Sequence, residues 1–266
     1  MDGMISPQEL RRIARARKLA LDLVEKDYVL GWLLFAISSS SIANRLAFKG
    51  GTALSKVYFP GEWRLSEDLD FTLIDVPDFG AVKKSLVDEV PRALHDAARI
   101  TAEALKTPYT NPDYLQCRIQ YVGPVSKNTA KVEVSKEDFL GEVVKKDVPL
   151  SFDYPDFSVI AYSLDNILAE KIRTLLERGK VRDYYDVWRL LKTKRFDRGK
   201  VKSLFLKKCQ AKNVIFSGTA QFFPTNLANS LRPYLKIGLT RLTDEPLPKL
   251  EEMLDELQTS LTRVLD

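Results

Sequence analysis

The chain has 266 residues, 45% of them hydrophobic and 29% charged, which is apolar enough for a buried core and fits one large or two ordinary domains. A single histidine, His95, and two cysteines, Cys117 and Cys209, without CxxC spacing exclude a multi-imidazole zinc site and a thiolate metal centre; a Ser-His-Asp triad would have to recruit His95 with no nucleophile elbow in view. Chemistry is left to carboxylates and lysines, and a formal net charge of +5 favours an anionic partner, whether nucleotide, RNA or acidic protein.

In chain order, residues 7–41 carry helical periodicity with a boundary near Lys18–Leu21, which predicts two helices. Within them the longest apolar run, Tyr28 to Ile37, is interrupted by Gly31 and ends in four serines, short of the roughly 20 residues of a membrane span. Arg11, Arg12, Arg15 and Arg17 break up any signal-peptide core. A cytoplasmic protein without a membrane partner is expected, and the two isolated cysteines suit a reducing compartment.

Arg45 to Lys49 reads as a short strand entering a Gly50-Gly51 turn, and Thr52 to Phe59 as a helix stopped by Pro60-Gly61. Leu65 to Leu73 alternates as a strand, with Leu65, Leu69, Phe71 and Leu73 on one face and Ser66, Asp68 and Asp70 on the other; Glu67 alone breaks the apolar face. A helix is expected over Val82–Leu105, then strands over Tyr114–Val122 and Thr129–Ser135 around a turn at Gly123-Pro124, giving a mixed sheet of at least four strands. From Ser163 the pattern turns helical: Leu164–Arg178, Asp183–Lys192, Lys200–Lys208, Pro224–Tyr234 and Pro248–Leu265. The expected class is α+β, a mixed-sheet lobe over 1–157 and a helical lobe over 158–266.

Alternation places Ser66, Asp68 and Asp70 on one side of a strand, with successive Cα atoms on that side about 7 Å apart. Two carboxylates converging to about 4 Å repel by roughly 4 kcal/mol at an effective dielectric of about 20, which a divalent cation reverses. Magnesium takes one or two carboxylates plus phosphate oxygens, so the pair points to a phosphorylated substrate. The ordinary explanation is an acidic exposed strand face. Upstream, Lys49-Gly50-Gly51-Thr52 opens a helix after a strand, where backbone amides and the helix terminus can cradle phosphate; paired glycines also serve simply as turns. Together the two segments put phosphate-binding and metal-binding parts on neighbouring elements.

Phe48-Lys-Gly-Gly-Thr-Ala-Leu-Ser-Lys56 and Arg64-Leu-Ser-Glu-Asp-Leu-Asp-Phe71 resemble the signature of the AbiEii/AbiGii-type toxin nucleotidyltransferases, a branch of the polymerase-beta-like nucleotidyltransferase fold. A third segment, Ala169-Glu-Lys-Ile-Arg173 followed by Arg182-Asp-Tyr-Tyr-Asp-Val187, is similar to that family's downstream helical motif, in which a lysine and an aspartate are functional; the corresponding residues are Lys171 and Asp183. The resemblance implies magnesium-dependent transfer of a nucleotide from a nucleoside triphosphate to RNA, notably the acceptor end of tRNA, or to a protein, with a partner antitoxin that neutralises the toxin. Asp68 and Asp70 are then the metal ligands and Gly50, Gly51, Thr52 and Ser66 the nucleotide contacts.

Relatives of this fold usually add a third carboxylate from a later strand; Glu133, in Lys131-Val-Glu-Val-Ser135, is the candidate, expected to accept the proton of the attacking hydroxyl. As read from the residues alone, it is equally a solvent-facing strand glutamate. Lys171, at the border of an apolar stripe, is expected to neutralise triphosphate charge, against the ordinary reading of a snorkelling lysine. Asp183 is equally placed to cap a helix, and Asp186 to pair with Arg182 or Arg173. Between Lys192 and Lys212 a basic run with one acid, Asp197, is expected to bind an RNA backbone through Lys192, Lys194, Arg195, Arg198, Lys200 and Lys202. The competing readings are a small-molecule nucleotidyltransferase, a glycosyltransferase holding its metal through Asp-x-Asp, and a non-catalytic nucleotide or RNA-binding module.

Overall fold

The computed structural model describes residues 3–75 and 78–266. The chain divides into two compact units, Met1–Ala161 and Tyr162–Asp266.

The first unit is built on a mixed sheet. Helix α1 (Pro7–Ala16), opened by the Ser6 side chain accepting from the Glu9 amide, precedes α2 (Leu21–Ser38). Strand β1 (Leu46–Lys49) leads through the glycine pair into α3 (Gly50–Ala53), which continues as a π-helical turn to Tyr58. Then come β2 (Asp68–Leu73), α4 (Gly80–Ala98), β3 (Thr101–Ala104), β4 (Tyr109–Asn111), β5 (Tyr114–Val122), β6 (Lys127–Ser135), β7 (Val143–Asp147) and β8 (Ser158–Tyr162). The strand order is β3-β5-β6-β2-β1-β8-β7, with β4 against β5. Central β2 runs antiparallel to β1 and parallel to β6.

Alternation decides which face is buried. Leu69, Phe71, Val132, Val134, Leu115, Cys117 and Ile119 are all buried on the face met by α2 and α4; burying one such side chain contributes about 1.5–3 kcal/mol. The opposite face carries Asp68, Asp70, Lys131, Glu133, Tyr114 and Gln116, their positions fixed by the registers Asp68↔Lys131, Asp70↔Glu133 and Gln116↔Glu133. Helix α2 is apolar almost all round and lies inside the unit. It buries two acids, each satisfied: Glu25 accepts from the Val125 and Ser126 amides at the β5–β6 turn, and Asp27 pairs with buried Lys56 at 2.7 Å.

Two helix expectations change. The helix predicted to reach Leu105 ends at Ala98, because Arg99 takes a left-handed conformation (φ 59°) that stops helical propagation, and the chain re-enters the sheet as β3. The helix predicted over Pro224–Tyr234 is broken into α8 (Leu227–Leu231), a 3-10 turn at Arg232–Tyr234 and α9 (Leu235–Gly238); Pro233 has no amide to donate and crowds the preceding turn.

The second unit is helical. Helix α5 (Leu164–Glu177), capped by Ser163, packs with α6 (Val181–Thr193) and α7 (Arg198–Ala211), and α10 (Leu250–Leu265) closes against α6 and α7. Phe205, Phe216 and Phe222 form an aromatic cluster. Among the described residues no helix is long and apolar enough to cross a membrane.

Candidate active site

Strand β2 delivers its two aspartates to the open sheet face, and the glycine turn lies beside them. Lys49 at the end of β1 stands opposite Asp70. Gly50 has φ +78°, and a Cβ there would fall 2.5 Å from Asp70 Oδ2. The missing side chain is thus what lets the Asp70 carboxylate rest against the backbone of the turn. A Cβ on Gly51 would stand 3.1 Å from both Ser66 Oγ and Arg64 Nη2, so Ser66 also adjoins the turn. Lys49, at the N-cap of α3, makes no side-chain capping bond, and the first amides of a helix lack intrahelical acceptors, so the start of α3 lies at this corner. Thr52 is fully buried and its hydroxyl donates to the Asp68 carbonyl, clamping the turn to the start of β2.

Beside the aspartates, Glu133 is held from three sides. Tyr114 donates to its Oε1 in a short hydrogen bond, Gln116 Nε2 donates to the same oxygen at 3.1 Å, and Lys131 Nζ lies 2.9 Å from Oε2. The same ammonium stands 3.2 Å from Asp68 Oδ2. Burial raises the Glu133 carboxyl, but the Tyr114 hydrogen bond and Lys131 outweigh it and hold the group below the usual glutamate range. Burial pulls Lys131 down, and its contacts with Glu133 and Asp68 more than restore it. Lys49 pairs with Glu137 at 3.4 Å.

The donor set fits a divalent ion. Asp68 and Asp70 are hard oxygen donors on one face, and the chain itself supplies a cation, Lys131, at Asp68. Among the described residues no group of three or more acidic, histidine or cysteine side chains is gathered for a metal, so the pair suits an ion that completes its shell with water and phosphate, as magnesium does. A cavity of about 590 Å³ lined by residues such as Leu34, Asn44, Phe71 and Ile160 includes none of these residues, and Phe71 belongs to the other sheet face.

In the second unit Lys171 is buried, with its ammonium 2.9 Å from Asp186 and 3.5 Å from Asp183. Arg178 grips Asp183 with two hydrogen bonds of 2.9 Å. Burial raises the Asp183 carboxyl, while Lys171 and Arg178 hold it below the ordinary range. Asp186, expected opposite Arg182 or Arg173, thus meets Lys171, and Arg173 bonds Glu177 one turn on.

The basic run sorts into two groups. Lys192 pairs with Glu256 and lies over the Trp188 ring, Lys200 pairs with Asp165, Lys202 reaches the Asp266 carbonyl, and Lys208 is buried against Glu170 and Tyr162. Asp197, the lone acid, caps α7. By contrast the side chains of Arg195 and Arg198, with that of Arg263 from α10, make no hydrogen bond or ion pair among the described residues; with Lys194, Phe196 and Ser260 they line a depression of about 420 Å³.

Sequence reasoning missed Lys131 as a partner of Asp68, Tyr114 and Gln116 around Glu133, and Arg263. The first three depend on strand register and the last on helix packing. The one usable signal was the alternation of β5 and β6, which places Tyr114, Gln116, Lys131 and Glu133 on polar faces.

No curated protein matches the chain. Among solved structures it is similar to MenT4, a nucleotidyltransferase toxin from Mycobacterium tuberculosis, with a TM-score of 0.69 and 21% identity over 98% of this chain and 91% of that one. It is also similar to JHP933 from Helicobacter pylori, with a TM-score of 0.56 and 18% identity over 92% and 93%. At these identities the likeness establishes the fold. The family described as "Nucleotidyl transferase AbiEii toxin, Type IV TA system" matches residues 32–261, nearly the whole chain, and the protein therefore belongs to the AbiEii nucleotidyltransferase toxins of type IV toxin–antitoxin systems.

Proposed function

We propose that the protein moves a nucleoside monophosphate from a nucleoside triphosphate to an RNA acceptor, with tRNA the first candidate, and that Asp68 and Asp70 hold a magnesium ion for the reaction. The observation that carries this reading is the Asp70 carboxylate set against Gly50, which brings a two-carboxylate strand face and the start of α3 to one corner.

Asp68 and Asp70 would hold the ion, which would supply neutralisation of phosphate charge for an in-line displacement. The chain's own residues do the rest. The Gly50, Gly51 and Thr52 amides receive the beta and gamma phosphates, Thr52 contributing only its backbone because its hydroxyl is engaged. Ser66 touches phosphate or orients the metal pair. Glu133, ionised in its hydrogen-bonded setting, takes the proton of the attacking hydroxyl. The hydroxyl oxygen bonds the alpha phosphorus and pyrophosphate leaves. The family resemblance adds Lys171 and Asp183 to the catalytic set, Lys171 for triphosphate charge; their support here is a buried ionic cluster, costly to desolvate and fully paired.

RNA is favoured over a small-molecule acceptor by Arg195, Arg198 and Arg263, whose unpaired guanidiniums suit phosphodiester oxygens. Lys194 lines the same depression, while Lys192, Lys200 and Lys202, already engaged, contribute secondary charge. A type IV system supplies an antitoxin as the further partner, and the setting is the cytoplasm. The test is incubation of total RNA with each alpha-labelled nucleoside triphosphate and magnesium. Label should appear on RNA; label confined to a small molecule or to protein would replace the acceptor assigned here.

A further inference from the structure

We propose that Lys131 is a resident counter-ion of the metal site, an ammonium that holds Asp68 until a divalent ion arrives together with a triphosphate, and so couples metal entry to nucleotide binding. The inference rests on the reading that Asp68 and Asp70 are the metal ligands, and adds a residue to which no role has been given.

The geometry is specific. Lys131 stands directly opposite Asp68 in the β2–β6 register. Its ammonium is 3.2 Å from Asp68 Oδ2 and 2.9 Å from Glu133 Oε2. Among the described residues the Asp68 carboxylate has no other hydrogen-bonding or ionic partner. Glu133 is anchored independently by Tyr114 and Gln116. Lys131 and Glu133 also lie two residues apart on one face of β6. Lys131 can therefore release Asp68 while keeping its tether.

Side-chain exposures of 28% for Lys131 and 36% for Asp68 leave the pair within reach of a hydrated ion. An ion arriving alone must compete with the ammonium for Asp68 and then sit beside a like charge, which weakens binding. An ion arriving on a triphosphate brings negative charge that offsets both penalties. The ammonium also relieves the repulsion among Asp68, Asp70 and Glu133 before the metal enters.

The test is Mn²⁺ titration of the full chain, read from the electron paramagnetic resonance signal of the free ion, with and without an alpha,beta-methylene nucleoside triphosphate. Wild type should bind Mn²⁺ weakly alone and more tightly with the analogue. Lys131→Met should bind Mn²⁺ alone about tenfold more tightly, equivalent to about 1.4 kcal/mol, and gain correspondingly less from the analogue. Lys131→Arg should behave as wild type, and Lys131→Gln replaces the Met variant if that chain does not fold. Unchanged or weaker Mn²⁺ binding in the neutral variants, with loss of binding in Asp68→Asn and Asp70→Asn, would overturn the role of Lys131 alone. Binding that survives both Asp→Asn substitutions would overturn the metal assignment itself.

Discussion

Gly50 and Asp70 share a volume that a single methyl group would fill. Gly50→Ala adds a Cβ at a left-handed position, a cost of roughly 1–2 kcal/mol, and drives it to within 2.5 Å of Asp70 Oδ2. The expected outcome is a lower melting temperature and a larger loss of nucleotide transfer, because Asp70 must move; full activity would show that Asp70 need not rest on the turn. Asp68→Asn and Asp70→Asn should each abolish transfer in a labelling assay while thermal melting shows that the chain still folds; transfer retained in both would contradict the assignment. At this scale the sequence was informative where one strand sufficed: alternation alone put Asp68 and Asp70 on a common face. It was silent on Lys131 and Tyr114, since which residue stands across from which is set by pairing between β5, β6 and β2, and a shift of one residue would turn each to the other face.

Between α5 and α6, the cluster of Lys171, Asp183, Asp186 and Arg178 ties two helices by charge. Asp183 is almost wholly buried, so Asp183→Asn leaves buried positive charge undercompensated and should destabilise the unit by about 3–5 kcal/mol. The pH dependence follows from the direction of its shift. The folded-state value lies below the ordinary 3.8, so the stabilisation is complete above that value and is lost as pH falls through the folded one. Thermal midpoints measured from pH 7 to pH 3 should drop more steeply below about pH 4 in wild type than in Asp183→Asn; parallel curves would show that Asp183 is not the acid-sensitive group. Element types were largely readable from periodicity, and their ends less so. The left-handed Arg99 and the Pro233 interruption decided where helices stopped. Strands β4, β7 and β8 are three to five residues long, too short for alternation to mark them, and they hold their place by pairing within the sheet.

Net positive charge belongs to the whole chain, and the structure narrows which part of it is available. The lysines of the basic run are engaged, among them Lys192, Lys200, Lys202 and Lys208, whereas among the described residues the guanidiniums of Arg195, Arg198 and Arg263 make no hydrogen bond or ion pair. Filter binding of RNA across a salt series should show affinity falling with ionic strength, and each of Arg195→Ala, Arg198→Ala and Arg263→Ala should reduce the logarithmic salt slope by about 0.7 for a single-stranded contact. Lys192→Ala and Lys200→Ala should change it less; equal effects at all five positions would point to diffuse charge in place of the arginine-lined depression. The central claim is chemical, and one measurement meets it directly: total tRNA, magnesium and each alpha-labelled nucleoside triphosphate, with the products sized and pyrophosphate assayed. Label on tRNA with matching pyrophosphate release, both abolished by chelation and by Asp70→Asn, is the expected result. Label that persists undiminished in both Asp68→Asn and Asp70→Asn, or pyrophosphate that never appears with any nucleotide, would contradict it.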